Sequence, residues 1–208
     1  MSKATVPSWR DARRDSARQT IVDAAWALVH AEGLPALSLR ELARRAGITT
    51  PTVYAYFESK HAIFDAMFGH AATEFADVMT RPYETDDPRQ LLAAGVRRFV
   101  EFCTADVPRY QLLFQRTIPD FAPSPESFVP AVRALDAVRS RLAANGITDP
   151  RHIDMWTALT TGLVDQQISN DPGGERWSRL IDDFVDMFLA YCQAAPRPRP
   201  TKPRRSTP

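Results

Sequence analysis

Residues 38–60 read SLRELARRAGITTPTVYAYFESK, and this stretch decides the predicted fold. Ser38 followed by Glu41 forms a capping box, which places the start of a helix at Ser38. Gly47 follows that helix, at a point where the chain needs the left-handed backbone that glycine tolerates. Thr50 is predicted to cap the next helix. The spacing therefore predicts two short helices joined by a tight turn.

The second of these helices carries side chains that suit a nucleic acid. Its hydroxyl and aromatic groups match phosphate oxygens, base edges and thymine methyl groups, and Arg40 and Lys60 flank it with positive charge. This arrangement predicts a helix-turn-helix, whose second helix enters the major groove of DNA. Similar turns occur in proteins that never touch DNA, so that alternative stays open. The residues predicted to contact DNA are Ser38, Arg40, Thr49, Thr50, Pro51, Thr52, Tyr54, Tyr56 and Lys60.

Helical periodicity continues through most of the chain, and no stretch alternates β-branched with polar residues. Proline and glycine mark the breaks between the periodic segments. We therefore predict an all-α protein. Its helices are expected over residues 15–32, 38–46, 51–57, 60–79, 88–105, 109–116, 125–144, 150–169 and 176–192.

The charge is unevenly distributed, although the net charge of the 208 residues is only +1. Residues 1–60 carry nine Lys/Arg against six Asp/Glu, residues 61–192 carry 12 against 19, and residues 193–208 carry five against none. A basic N-terminal segment on an acidic body indicates that a polyanion binds at one end. An ordinary charged surface would give the same balance over residues 1–60.

The composition excludes several classes of protein. Apolar runs are shorter than the ~18–20 residues that cross a bilayer, and the N-terminus lacks the apolar stretch of a signal peptide. We therefore expect a cytoplasmic protein with no membrane partner. Cys103 and Cys192 lie far apart and the histidines are scattered, which predicts neither a metal site nor a cofactor. The sequence also shows no phosphate loop and no nucleophile with a convincing base, so an enzyme is the least favoured alternative.

Residues 52–64, TVYAYFESKHAIF, and the capped helix before them resemble the DNA-binding domain of the TetR repressors. The resemblance covers about residues 15–70. It implies an N-terminal three-helix DNA-binding domain and a C-terminal helical domain that binds an effector and dimerises. It also implies a homodimer that binds double-stranded DNA at an inverted-repeat operator and is released by a small molecule.

The same resemblance implies roles for single residues in the DNA-binding set. Arg40 and Thr50 match positions that read bases, and Pro51 matches one that contacts the groove. Tyr54 and Lys60 match positions that contact phosphates. The operator sequence does not carry over from the resemblance.

These observations divide the chain into four predicted parts. Residues 1–14 are a flexible N-terminal arm, and residues 15–60 are the helix-turn-helix domain. Residues 61–192 are the helical effector-binding and dimerisation domain. Residues 193–208 are a disordered, basic, proline-rich tail, because a segment with so many prolines does not pack.

The C-terminal half carries aromatic and apolar residues suited to lining an effector pocket. Each of them is equally explained as an ordinary core residue. Without a cluster of charges in this core, we expect a small apolar or aromatic effector, with Arg97, Arg98, Gln111 and Gln115 as its polar anchors. The residues predicted to line the pocket are Phe99, Phe102, Cys103, Tyr110, Phe114, Trp156 and Leu159.

The last predicted helix has one narrow polar stripe, formed by Arg179, Asp182, Asp183 and Asp186, and is apolar elsewhere. Such a helix is buried on more than one side. We expect a second subunit to cover it; the alternative is a helix central to its own domain. The residues predicted at the dimer interface are Leu163, Trp177, Ile181, Phe184 and Phe188.

The leading hypothesis is a ligand-responsive transcriptional repressor that binds a palindromic operator as a homodimer. The first alternative is a DNA-binding regulator of the same fold that has no effector and acts as an activator or under the control of a protein partner. The second is an enzyme.

Overall fold

A computed structural model describes residues 9–194, except for the side chain of Arg10. This part of the chain contains α-helices and two short 3-10 turns but no strand, so the all-α prediction is confirmed. The helices are α1 Trp9–Glu32, α2 Leu39–Arg45, α3 Thr50–Tyr56, α4 Lys60–Thr80, α5 Pro88–Ala105, α6 Val107–Phe114, α7 Pro125–Ala144, α8 Pro150–Asn170 and α9 Ile181–Gln193.

The first three helices and the N-terminal half of α4 enclose one hydrophobic core. Leu28 of α1, Leu42 of α2, Val53 of α3 and Ile63 of α4 are fully buried in it. Burying side chains of this size contributes about 1.5–3 kcal/mol each. The core therefore holds the short helices α2 and α3 in place, because helices of seven residues are not stable alone.

A second hydrophobic core lies among the C-terminal half of α4 and helices α5 to α9. Phe75 and Met79 of α4 belong to this core, whereas Phe64 and Met67 of the same helix belong to the first. The boundary predicted between residues 60 and 61 thus falls at the start of a helix that both cores share.

Three predicted helix starts differ from the structure by two residues or more. α1 begins at Trp9, so residues 9–14 of the predicted arm are helical. These residues are exposed where their side chains are described, and a helix without a buried face shows no apolar periodicity. α6 begins at Val107 because the side chain of Asp106 accepts a hydrogen bond from the Arg109 N–H.

The third difference lies before α9, which begins at Ile181 and follows a 3-10 turn over Ser178–Leu180. The buried side chain of Gln167 accepts hydrogen bonds from the N–H groups of Trp177 and Ser178, which removes these groups from a continuous helix. Gln193 of the predicted tail ends α9. Residues 1–8 of the predicted arm and 195–208 of the predicted tail lie outside the described residues.

Candidate functional site

Capping hydrogen bonds fix both helices of the turn. The Ser38 Oγ accepts from the Glu41 N–H at 3.2 Å, and the Thr49 Oγ1 accepts from the Thr52 N–H at 3.3 Å. Thr49 is therefore the N-cap of α3, and the prediction of Thr50 is wrong. The backbone of Thr49 is extended, at φ −93° and ψ 155°, whereas Thr50 already lies in the helix. Gly47 has φ +66°, the left-handed backbone that the turn requires.

α3 turns one face to the core and the other to solvent. Val53 is buried, and Phe57, which follows the helix, is buried beside it. On the outer face the side chain of Tyr54 is 53% exposed and Pro51 is also exposed. Tyr56 is half-buried. This is the geometry of a helix-turn-helix whose second helix is free to enter a groove.

The cations around α3 differ in whether they form an ion pair with another described residue. The exposed Arg44 and Arg45 both hydrogen-bond to Glu41, which lowers the pKa of that carboxyl to about 2. Arg40 is exposed and makes no ion pair with any described residue. The Lys60 ammonium lies 5.5 Å from the centroid of the Phe64 ring at the start of α4. Arg40 and Lys60 are therefore the free cations on either side of α3 among the described residues of these helices.

Sequence reasoning missed Arg18 of α1. Its guanidinium lies 4.2 Å from the centroid of the Phe57 ring and donates to the carbonyl of Tyr56. This contact ties the end of α3 to α1. The signal in the sequence is weak, because Arg18 is one of several basic residues in the polar first half of α1.

The second core contains a cavity of about 280 Å³ between helices α4, α5, α6, α7 and α8. The predicted residues Phe99, Phe114 and Trp156 line it. Their rings pack with those of other helices; for example, Phe99 and Phe114 meet edge to face at 5.4 Å between centroids. Lining residues that were not predicted include Phe68, Phe75, Met79, Leu92, Val96, Phe128, Leu135 and Val138.

Four predicted lining residues lie outside this cavity. Phe102 packs on Phe75 at 5.1 Å between ring centroids, and Leu159 faces outward from α8. Cys103 and Tyr110 are buried, which raises the pKa of both groups, and the Tyr110 hydroxyl donates to Asp165 at 2.7 Å. Partners on other helices hold Phe102 and Tyr110 away from the cavity wall, whereas Leu159 turns to solvent.

The predicted polar anchors are also absent from the lining among the described residues. Arg97 pairs with Asp182, Gln115 donates to Asp165, and Arg98 donates to backbone carbonyls after α4. Arg141 of α7 is the charged residue that lines the cavity, and the sequence analysis missed it. It follows Ala134 and Val138 at a helical spacing of i, i+4, i+7, and this position within an apolar stripe was the available signal.

Residues 21–67 match the family described as bacterial regulatory proteins, tetR family. This part of the chain is a DNA-binding domain of the TetR type. The matched residues run from α1 into α4 and include the whole helix-turn-helix.

Two curated proteins and one solved structure are similar to this chain. The HTH-type transcriptional activator FasR of Mycolicibacterium smegmatis is 31% identical over 114 residues, which are 54% of this chain and 51% of FasR. The class D tetracycline repressor protein of Escherichia coli is 38% identical over 50 residues, 24% of this chain and 23% of that protein. The matched part thus spans about half or less of these relatives.

The solved structure is that of the transcriptional regulator FadR from Bacillus subtilis in complex with stearoyl-CoA. It superposes on this chain with a TM-score of 0.66 and 15% sequence identity, over 83% of this chain and 97% of FadR. The two proteins therefore share a fold in both the N-terminal and the C-terminal domain.

The predicted dimer residues lie mostly in the second core of the chain itself. Ile181, Phe184 and Phe188 are only 2%, 8% and 1% exposed, and Phe184 and Phe188 pack against the ring of Trp156. The prediction that these three form a dimer interface is wrong, because they offer almost no area to a partner. Leu163 and Trp177 are half-buried.

The predicted polar stripe of α9 is partly covered by α5. Arg89 of α5 hydrogen-bonds to Asp182 and Asp186, which lowers the pKa of both carboxyls. These ion pairs hold one side of α9 against α5, so this side is packed within its own domain. Exposed apolar side chains remain on a different face, at Leu180, Met187 and Tyr191.

Two further findings concern the described part of the chain. Between Trp9 and Ala194, no helix combines the length and the apolar composition needed to cross a membrane. The same residues hold no group of three or more His, Cys, Asp or Glu side chains that is arranged to bind a metal ion.

Proposed function

We propose that this protein is a ligand-responsive, DNA-binding transcriptional repressor that acts in the cytoplasm. In this proposal a homodimer binds a palindromic operator and a small apolar effector releases it. The observation that carries the proposal is α3, which is anchored by Val53 and exposes Tyr54 between two free cations. No catalytic activity is proposed, since FasR and the class D protein are both named as regulators.

The proposed DNA contacts follow the exposure of each side chain. Arg40 and Thr50 contact bases, Pro51 packs in the groove, and Tyr54 and Lys60 contact phosphates. The remaining members of the set lie beside them and support the surface. Ser38 and Thr49 cap helices, Thr52 shares a hydroxyl hydrogen bond of 2.8 Å with Thr49, and Tyr56 is half-buried.

The test of this function begins with the DNA. We expect the purified protein to enrich an inverted repeat from a pool of random duplexes, with half-sites about one helical turn (~34–36 Å) or a multiple of it apart. A library of hydrophobic compounds should then contain members that lower the affinity for that repeat. A pool without an enriched inverted repeat would contradict the proposal.

Lys60→Ala should weaken binding to specific and random DNA alike, because a phosphate contact carries no sequence information. Loss of one such contact lowers the slope of log affinity against log salt by about one. Fluorescence anisotropy at several salt concentrations measures both effects. The matched control is Arg139→Ala, which removes an exposed cation from α7. An unchanged salt slope in Lys60→Ala would contradict the proposed phosphate contact.

The proposed homodimer uses the exposed face of α9 together with α8. Leu180, Met187 and Tyr191 lie at i, i+7 and i+11 along the chain, and Leu159 is the exposed apolar residue of α8. Apolar side chains that share one helical face favour a partner of the same kind, since a two-fold dimer brings a surface patch against its own copy.

Met187→Arg should convert the dimer into a monomer at micromolar concentration. The side chain is 58% exposed within one chain, so a charge is tolerated by the monomer but is buried without a partner in the dimer. Sedimentation velocity measures the mass, and circular dichroism verifies that the variant is folded. The control is Val132→Arg on the exposed face of α7. A folded Met187→Arg variant that remains a dimer would exclude this face.

The cavity supports the effector part of the proposal. It lies beside Phe75 and Met79 of α4, the helix that begins at Lys60. A ligand that binds one arrangement of this helix more tightly than another shifts the equilibrium between them. FadR, which shares the fold, is in complex with stearoyl-CoA, and this supports a lipid-like or otherwise apolar effector here.

A second candidate is a regulator of the same fold that activates transcription or lacks an effector. It is favoured by one observation, namely that FasR is named as an activator. A reporter gene placed behind the enriched inverted repeat separates the two. Repression predicts lower expression when the protein is present, and activation predicts higher expression. Operator affinity that is indifferent to the whole hydrophobic library would favour the effector-free candidate.

A further inference from the structure

One end of the cavity in the second core is polar. Arg141 of α7 lines this end, and among the described lining residues it is the charged one. Burial lowers the pKa of its guanidinium, but arginine stays protonated in proteins. No described carboxylate forms an ion pair with it. A half-buried cation without a counter-charge thus faces an apolar space.

A buried hydroxyl without a partner lies beside this cation. The Tyr83 Oη has no hydrogen-bond partner among residues 9–194, although buried hydroxyls are normally bonded. The guanidinium carbon of Arg141 is 4.9 Å from the centroid of the Tyr83 ring, and that of Arg98 is 3.7 Å from it. The ring is therefore fixed by two cations while its hydroxyl stays unsatisfied.

Gly95 of α5 packs close to both of these groups. A Cβ atom at this position would lie 3.3 Å from the Arg141 Nη1 and 3.7 Å from the Tyr83 Oη. The Arg141 Nη1 donates to no described acceptor, since the hydrogen bond of this side chain runs from Nη2 to the Met79 carbonyl. Arg141 lines the cavity whereas Tyr83 does not, so the Arg141 Nη1 is the donor that this corner of the cavity offers to a ligand.

We infer that this corner binds the carboxylate head of an effector whose apolar tail fills the aromatic part of the cavity. The inference rests on the proposed function and makes its effector an amphipathic monocarboxylate. A carboxylate accepts from a guanidinium, and charge-assisted hydrogen bonds of this kind are the strong ones. The cavity volume of about 280 Å³ suits roughly nine non-hydrogen atoms at ~30 Å³ each.

The same guanidinium connects the ligand to α4. Arg141 Nη2 donates to the carbonyl of Met79 in the last turn of α4, and Arg98 donates to the carbonyls of Val78 and Arg81 at 3.1 Å and 2.8 Å. A carboxylate is a stronger acceptor for guanidinium than a carbonyl. Its arrival at Nη1 therefore draws Arg141 toward the cavity and weakens the cap at the C-terminal end of α4.

Isothermal titration of the purified chain with octanoate and octan-1-ol tests the inference. The two probes share one tail and differ in the charge of the head. We expect the wild type to bind octanoate at least about tenfold more tightly, as a charge-assisted hydrogen bond predicts. Arg141→Met keeps an apolar stem of similar length and should remove this preference while leaving the affinity for octan-1-ol unchanged.

Tyr83→Phe is the matched control, because it removes a hydroxyl that does not line the cavity and keeps the ring between the two arginines. We expect it to bind octanoate and octan-1-ol as the wild type does. Retained binding of octan-1-ol shows that both variants are folded with the cavity intact.

The inference is overturned if the wild type does not distinguish the two probes, if it binds neither at millimolar concentration, or if Arg141→Met keeps the preference for octanoate. These results are independent of operator DNA. If octanoate binds with the expected preference but leaves operator affinity unchanged, the carboxylate site stands and the proposed effector response fails. If both probes bind equally and both release the operator, the effector response stands and the carboxylate site fails.

Discussion

Tyr54→Asp should lower operator affinity at least about 100-fold, which corresponds to about 2.7 kcal/mol. The side chain of Tyr54 lies on the solvent face of α3, where the proposed complex has phosphates. A carboxylate at this position removes a hydrogen bond and adds like-charge repulsion, which costs several kcal/mol across an interface. Fluorescence anisotropy with the enriched inverted repeat, at one fixed salt concentration, measures the loss.

Val129→Asp is the matched control, because Val129 is exposed on α7 and the variant changes the net charge by the same amount. It should bind the operator as the wild type does, apart from a small uniform effect of charge. Tyr54→Phe separates the hydroxyl from the ring and should lose only part of the affinity. Equal affinity of Tyr54→Asp and Val129→Asp would exclude α3 as the recognition helix.

Gln167→Leu should lower the free energy of unfolding by about 3 kcal/mol. The side chain of Gln167 is only 3% exposed. Its Oε1 accepts from the N–H groups of Trp177 and Ser178, and its Nε2 donates to the Gly174 carbonyl at 3.0 Å. Leucine leaves these backbone groups without a partner, and each buried unsatisfied group costs about 1–3 kcal/mol. Urea unfolding followed by circular dichroism measures the change.

Gln166→Leu provides the control for this prediction. Gln166 is the exposed neighbour on α8, and its side chain accepts only from that of Asn170 at 2.8 Å among the described residues. Its replacement should change stability by less than about 0.5 kcal/mol, as is usual for surface positions. Both variants are compared at one protein concentration, because the proposed dimerisation would make the apparent stability depend on concentration. Equal stability of the two variants would show that the Gln167 amide does not stabilise the loop before α9.

The parts of the fold that follow from local chemistry could be predicted from the sequence. The start of each of the helices α5 and α7 is marked by a capping side chain, Asp87 or Ser124, and by a proline that follows it. Both helices have the predicted bounds. The start of α9 could not be predicted in this way. Trp177 continues the apolar periodicity of α9, but Gln167, ten residues earlier, binds its N–H group and delays the helix.

The exposed face of α3 and the cavity also differ in how far the sequence alone could predict them. The face of α3 is contiguous in sequence, so residue type and helix geometry were sufficient to predict which residues it carries. The cavity collects side chains from five helices, and its wall depends on how those helices pack. Phe99 and Phe102 are both phenylalanines of α5 and lie three residues apart, yet only Phe99 lines the cavity. Neither residue type nor periodicity distinguishes them.

The sharing of α4 by two cores determines where this protein can be divided. Ile63, Phe64 and Met67 pack with the recognition half, whereas Phe75 and Met79 pack with the cavity half. A chimera joined at residue 60 would set the first three of these side chains against foreign partners, and its DNA-binding half would lose part of its interior. A junction between Ala72 and Phe75 keeps each set of packed side chains with its own partners. Relatives can therefore exchange their C-terminal halves at a junction inside α4, but not at a junction before it.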